Sequence, residues 1–157
     1  VRAALPWPRK NAAVNSEARR AVVATLIELA ASPDYRDRAD AGRCLAGFAE
    51  MPEAGRALSG LVLDAGDTFV TRETATALLR RRDTAGFAAV AAALAVADAH
   101  HSDWIHTAVL DVFTVFARDR DAALRACETL SRDPDDHIRR GGRQLIDMLQ
   151  EIDPILH

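Results

Sequence analysis

Asp34, Asp67, Ser102 and Asp135 recur at intervals of 33, 35 and 33 residues, and each heads a segment with a similar order of side chains. Three residues after these markers come Asp37, Val70, Ile105 and Ile138; four after come Arg38, Thr71, His106 and Arg139; eleven after come Leu45, Leu78, Phe113 and Ile146. A period of this length, kept without gaps inside a segment, marks stacked helical pairs, because one such unit cannot bury its own apolar face. The chain is thereby held to an all-α architecture built by repetition.

The last unit carries the clearest helical signals. Between Asp133 and Gln150, Asp133 is the expected cap and Pro134 the expected first helical residue, with Asp135 and Asp136 suited to the positive end of the dipole. Ile138, Leu145, Ile146 and Leu149 supply the apolar stripe. Upstream, the pattern predicts helices over about 16–31, 33–50, 53–63, 67–82, 83–97, 103–117 and from Asp119 or Asp121 onward, joined by short connections that favour antiparallel neighbours. Residues 1–14, with Pro6, Trp7 and Pro8, read as an extended arm before a helical domain over 15–157. The alanine-rich fifth helix should pack unusually close to its neighbours. The sixth carries the bulk, in Trp104, Ile105, Leu110, Val112, Phe113 and Phe116.

Composition agrees. Hydrophobic residues make up 49% of the 157 but aromatic ones only 5%, and an apolar content dominated by Ala, Val and Leu favours helices over sandwiches or barrels. Gly141 and Gly142 each cost a helix roughly 1 kcal/mol relative to alanine, so a close helix contact is the expected reason for them. Cys44 and Cys127 lie within apolar helical patterns, where a thiol acts as a small hydrophobe; no disulfide framework is expected, and a cytoplasmic setting is. The longest apolar run, Phe87 to Ala97, falls short of the roughly 20 residues that span a bilayer. No secretory signal pattern opens the sequence, and Val1 in place of Met fits a processed chain or a piece of a longer one.

A short acidic turn followed by an aliphatic residue, an arginine, small residues and a leucine resembles the second helix of a HEAT repeat, over about residues 16–151. Asp135 to Ile146, with Ile138 and Arg139, matches best. Asp67 to Leu79 keeps Val70 but has Thr71 for the arginine, Asp34 to Leu45 keeps Arg38 but has Asp37 for the aliphatic residue, and the third copy has Ser102 and His106 in the aspartate and arginine places. The resemblance implies a short right-handed α-α superhelix of about four antiparallel helix pairs, with the second helices on the concave side. It also implies a ladder of hydrogen bonds between repeats through Asp34, Arg38, Asp67, Asp135 and Arg139.

Ser, Cys, His and acidic residues are all present, but none forms a local nucleophile motif, so no catalytic residue and no cofactor is expected. His100, His101, Asp103 and His106 form the most metal-like cluster, yet their spacing matches no established site and no metal is assigned. The expected function is non-enzymatic: an adaptor holding a protein or peptide partner on the concave surface through Arg36, Arg43, Arg72, Arg140 and Arg143. The second reading is nucleic-acid binding by the same arginines, with Arg80, Arg81 and Arg82 as a further basic cluster. A net charge of −3 gives no global attraction to phosphate, so that reading depends on a local patch.

Overall fold

The computed structural model describes the backbone from Lys10 to His157 and side-chain exposure from Val14 onward. These residues form eight α-helices: α1 (Lys10–Ala30), α2 (Tyr35–Leu45), α3 (Pro52–Val62), α4 (Thr68–Arg80), α5 (Thr84–Leu94), α6 (Ala99–Phe113), α7 (Ala117–Leu130) and α8 (Asp136–Gln150). A 3₁₀ turn, Ala46–Phe48, follows α2. The expected extended arm over 1–14 gives way to helix at Lys10, and residues 1–9, with Trp7, lie outside the described residues.

Aspartate starts most of these helices. The side chains of Asp34, Asp67, Asp83, Asp98 and Asp135 accept from backbone N–H groups of Arg36, Phe69, Gly86, His101 and His137, satisfying donors that a helix leaves unpaired at its first turn. Pro52 occupies the first turn of α3, where its missing N–H costs nothing. Several boundaries differ from expectation: α6 ends at Phe113 rather than near 117, α7 starts at Ala117, before the expected Asp119, and two caps are displaced. Asp135 caps α8, while Asp133 accepts from the Asp135 N–H in the turn before it. Asp98 caps α6, so Ser102 sits one turn inside the helix and His100 and His101 lie in its first turn rather than in a loop. The capping aspartates are therefore 33, 31 and 37 residues apart, a less regular period than the one read from Ser102.

Two rows of neighbours follow. On one side α2 packs against α1 and α4, and α4 against α6; on the other α3 packs against α1 and α5. Leu45, Leu58, Leu78, Leu79, Leu94, Ile105 and Phe113 fill the space between with almost no exposure. Phe87 and Phe113 stack with centroids 6.2 Å apart. Leu110 and Phe116, expected among the inward bulk, are each 40% exposed. Cys44 is exposed, contrary to expectation, while Cys127 is buried, and burial pushes its thiol up to about 12.

The last pair breaks the pattern of neighbours. α8 makes its extensive contacts with α5 and α7 and touches α6 only slightly. The cause is the glycine pair: a Cβ on Gly141 would lie 1.7 Å from the Ala91 carbonyl oxygen of α5, and one on Gly142 would lie 3.1 Å from Leu130 Cβ of α7. The helices meet backbone to backbone. After α8 the chain turns back, and Ile155 and Leu156 donate to the carbonyls of Thr114 and Val115 at 2.9 and 2.8 Å, while the Ala117 N–H donates to Leu156 at 2.8 Å. That short parallel bridge supplies α7 with the start contact its sequence lacks, since Phe116 offers no side-chain cap.

Replacing Gly141 by alanine improves helix propensity by roughly 1 kcal/mol but forces α8 off α5, and overpacking of this kind costs about 1–3 kcal/mol. With a main-chain oxygen as the obstacle, the loss dominates: Gly141→Ala should lower the urea midpoint. Gly60→Ala, on α3 with nothing within 4 Å of the added methyl, should raise it. Equal midpoints for the two variants would show that the α5–α8 approach is not close.

Candidate functional site

The polar geometry centres on Asp64, in the turn between α3 and α4. Its side chain accepts from Arg38 Nε at 2.7 Å and Nη2 at 3.1 Å, and from the N–H groups of Gly66 and Asp67 at 2.9 and 2.8 Å. The third guanidinium nitrogen, Nη1, donates to the carbonyls of Ser32 and Pro33, both at 3.0 Å. One arginine thus closes its own turn and ties it to the next. Gly66 leaves room for this, since a Cβ there would lie 2.9 Å from Nη2. Burial pushes the Asp64 carboxyl up, but the Arg38 guanidinium and the two N–H groups outweigh it and hold the group below the usual carboxylate range.

Of the residues in the implied ladder, Asp34, Asp67 and Asp135 cap their own helices. Arg38 reaches the following turn through Asp64 rather than Asp67. Arg139 repeats the first half of the Arg38 arrangement, donating to the carbonyls of Asp133 and Pro134 at 3.0 and 3.3 Å, and pairs with Asp136 of its own helix. Asp64 carried no signal of period. Its trace in the sequence was the aspartate three residues before a capping aspartate with glycine between, a turn-forming arrangement.

The outer side of α2, α4 and α6 carries a second set of links. Arg43 pairs with Asp40 and, at 2.7 Å, with Glu73; Arg72 pairs with Asp111 at 2.7 Å. Charges alternate across the three helices, which leaves little field for a polyanion. Arg36 has no ion pair among the described residues and lies over the Tyr35 ring at 5.0 Å. Arg140 pairs with Asp136 at 2.9 Å, and Arg143 is exposed. The structure brings Arg36, Arg43 and Arg72 onto neighbouring helices, but α8 has no extensive contact with α2 or α4, so Arg140 and Arg143 are not gathered with them. In the basic cluster at the end of α4, Arg81 pairs with Glu50 and Asp83, and Arg82 with Asp119.

Arg36 and Arg43 line an open cleft of about 470 Å³ with Tyr35, Asp40, Asp67 and Phe69. Tyr35 and Phe69 meet edge to face with centroids 5.9 Å apart, Arg43 lies 5.7 Å from the Phe69 centroid, and Phe69 is 39% exposed. Phe69 is the residue that pattern reading passed over. It stands beside Val70, which faces the core, and that offset alone turns it outward. Among the described residues no three His, Cys, Asp or Glu side chains converge as metal ligands would, and no helix is long and apolar enough to cross a membrane. His106, expected in the arginine place of the third unit, lies 3.7 Å from Glu151.

No protein-family model and no curated protein matches the chain. Among solved structures, the crystal structure of an engineered protein from the Northeast Structural Genomics Consortium aligns with 21% identity and a TM-score of 0.33. The alignment covers 86% of this chain and 64% of that one. A likeness at that level bears on neither fold nor function.

Asp64→Ala strands the Arg38 guanidinium against the turn, and breaking an ion pair this little exposed should cost about 3 kcal/mol in urea unfolding. Because the folded carboxyl is held below its ordinary value, its contribution is present above the unfolded value, about 3.9, and is lost as pH falls through the folded one. Acidification below about pH 4 should therefore weaken the wild type more steeply than Asp64→Ala. Parallel acid limbs would show that Arg38 and Asp64 do not pair in solution.

Proposed function

We propose that this chain is a non-enzymatic interaction module, a short HEAT-like right-handed solenoid of about four helix pairs, which holds a protein or peptide partner along the concave row of α2, α4 and α6. Support for the repeat lies in the shared aspartate caps, the repeated Arg38 and Arg139 turns and the side-by-side seating of the first three pairs. The observation that carries the binding role is the cleft between Tyr35 and Phe69. Aromatic and arginine side chains dominate the few positions that supply most of the energy of protein interfaces, because they offer large contact area with a polar or charged tip. Here two aromatic rings and two arginines stand together on an open surface, already held in place by helix caps below and by Glu73 beside them.

Only part of the arginine set serves this role. Arg43 and Arg72 are engaged with carboxylates and act mainly to align the helices, whereas Arg36 and the exposed flank of Phe69 are available to a partner.

Affinity capture from the native cell with the whole tagged chain, compared across variants, tests this reading. Phe69→Ala with Arg36→Glu should reduce a reproducible partner at least about ten-fold, the effect of losing one interface hot spot or more. Arg140→Glu with Arg143→Glu should leave it in place, and circular dichroism should show the same helix content for all. Retention unaffected by the cleft variant would remove the cleft from the interface.

A further inference from the structure

We infer that His101 is a proton-operated clasp: its imidazolium, and not its neutral ring, ties the start of α6 to the turn between α3 and α4. The inference is independent of any partner and rests on what faces the two ring nitrogens. Nδ1 lies 2.8 Å from Asp98 Oδ1 and Nε2 lies 3.0 Å from the Asp64 carbonyl oxygen. Both are acceptors. A neutral imidazole carries one N–H and one lone pair, so either tautomer would press a lone pair against an oxygen at hydrogen-bond distance. Only the doubly protonated ring satisfies both contacts, and both are then charge-assisted.

The surroundings favour that charge. Asp98 and Asp64 are the acidic residues in contact, and Asp67 lines the same shallow recess with Gly66, Thr68 and His100. The Asp64 carboxylate is itself engaged by Arg38, so that cation stands beyond it rather than against the ring. The His100 ring, 6.4 Å away on the same turn, is exposed. Glu151, at the end of α8, faces His106 and not His101. The positive end of the α6 dipole opposes protonation, but Asp98 also accepts from the His101 N–H at 2.8 Å and so answers that end of the helix. The hydrogen bond to Asp64 is the largest influence, partial burial opposes it, and Asp98 adds to it; the net effect raises His101 above its ordinary value.

Asp64 is consequently gripped at both ends, its carboxylate by α2 through Arg38 and its carbonyl by α6 through His101. Loss of one proton removes the second grip. For a histidine raised by folding, the stabilisation is complete below the unfolded value, about 6.5, and disappears as pH rises through the folded one. Mildly alkaline conditions should loosen α6 from the turn that aligns it with α2 and α4.

The experiment is a pH titration of the whole chain followed by side-chain nitrogen and carbon resonances of histidine. His101 should titrate at higher pH than it does in the urea-unfolded chain, with both ring nitrogens protonated on the acid side, and Asp98→Asn should move that midpoint down. Urea midpoints of the wild type should fall between pH 6 and pH 8, and His101→Gln should remove most of that fall. A folded midpoint at or below the unfolded one overturns the clasp. So does an unchanged pH dependence of stability in His101→Gln; if that variant does not fold, the wild-type resonances decide alone.

Discussion

The approach of α8 to α5 at Gly141 determines how the chain ends. Interaxial distances between helices are set by the side chains at the crossing, and here there are none on one side and only alanine on the other, with the Ala91 carbonyl oxygen where a Cβ would stand. A helix carrying adjacent glycines is a poor helix in isolation. It becomes a good one when a neighbour offers an equally bare surface, because close packing of two backbones recovers dispersion contacts over the whole crossing. α5, with six alanines from Ala85 to Ala93, is that neighbour, whereas the sequence of α6 carries bulkier residues, Trp104 and Phe113 among them. Shape therefore assigns α8 to α5. The row of α2, α4 and α6 is not extended by α8, and Leu110 on α6 stays 40% exposed.

The opposite end of the molecule is held by a different kind of contact. α2, α4 and α6 have an apolar inner side, but their relative height is fixed by polar ties at their starts: Arg38 to Asp64, the N–H groups of Gly66 and Asp67 to the same carboxylate, and His101 to the Asp64 carbonyl. Apolar contacts are non-directional and tolerate sliding, whereas a bidentate guanidinium–carboxylate pair does not. Asp64 fixes the register. The cost is a carboxylate with little exposure, whose charge is held by the Arg38 guanidinium and the N–H groups of Gly66 and Asp67.

Much of the fold was legible in the sequence because capping is local chemistry. Asp67 and Asp83 mark helix starts where pattern reading placed them, Asp34 caps one residue beyond the expected start at Pro33, and the close contact expected of Gly141 and Gly142 followed from the intrinsic cost of glycine in a helix. The errors were also local: Asp133 and Asp135 are both acceptable caps two residues apart, and Asp98 was overlooked because a register counted from Ser102 already supplied a start. What could not be read is which helix each unit touches. The periodic positions of α8 resemble those of α2, yet its partner was chosen by two glycines and an alanine run that carry no period. The candidate cleft was hidden for a similar reason. Tyr35 and Phe69 lie 34 residues apart; each closely follows the capping aspartate of its own helix, and the Arg38–Asp64 tie between α2 and the turn before α4 brings the two helix starts together.

That alignment also separates structural arginines from available ones. A sequence shows Arg36, Arg38, Arg43 and Arg72 as one basic series, but helix geometry places them differently: Arg38 inward against a turn, Arg43 and Arg72 sideways toward carboxylates on adjacent helices, and Arg36 outward over Tyr35. A cation bonded to a carboxylate at 2.7 Å must give up that bond to bind a phosphate or an acidic side chain, so its net contribution to a new partner is small. A ring that is 39% exposed gives up nothing but water. Under the proposed binding role, the recognition energy of this surface is accordingly expected from Phe69 and Tyr35, with Arg36 adding direction, while the paired arginines tie the helices that carry those rings.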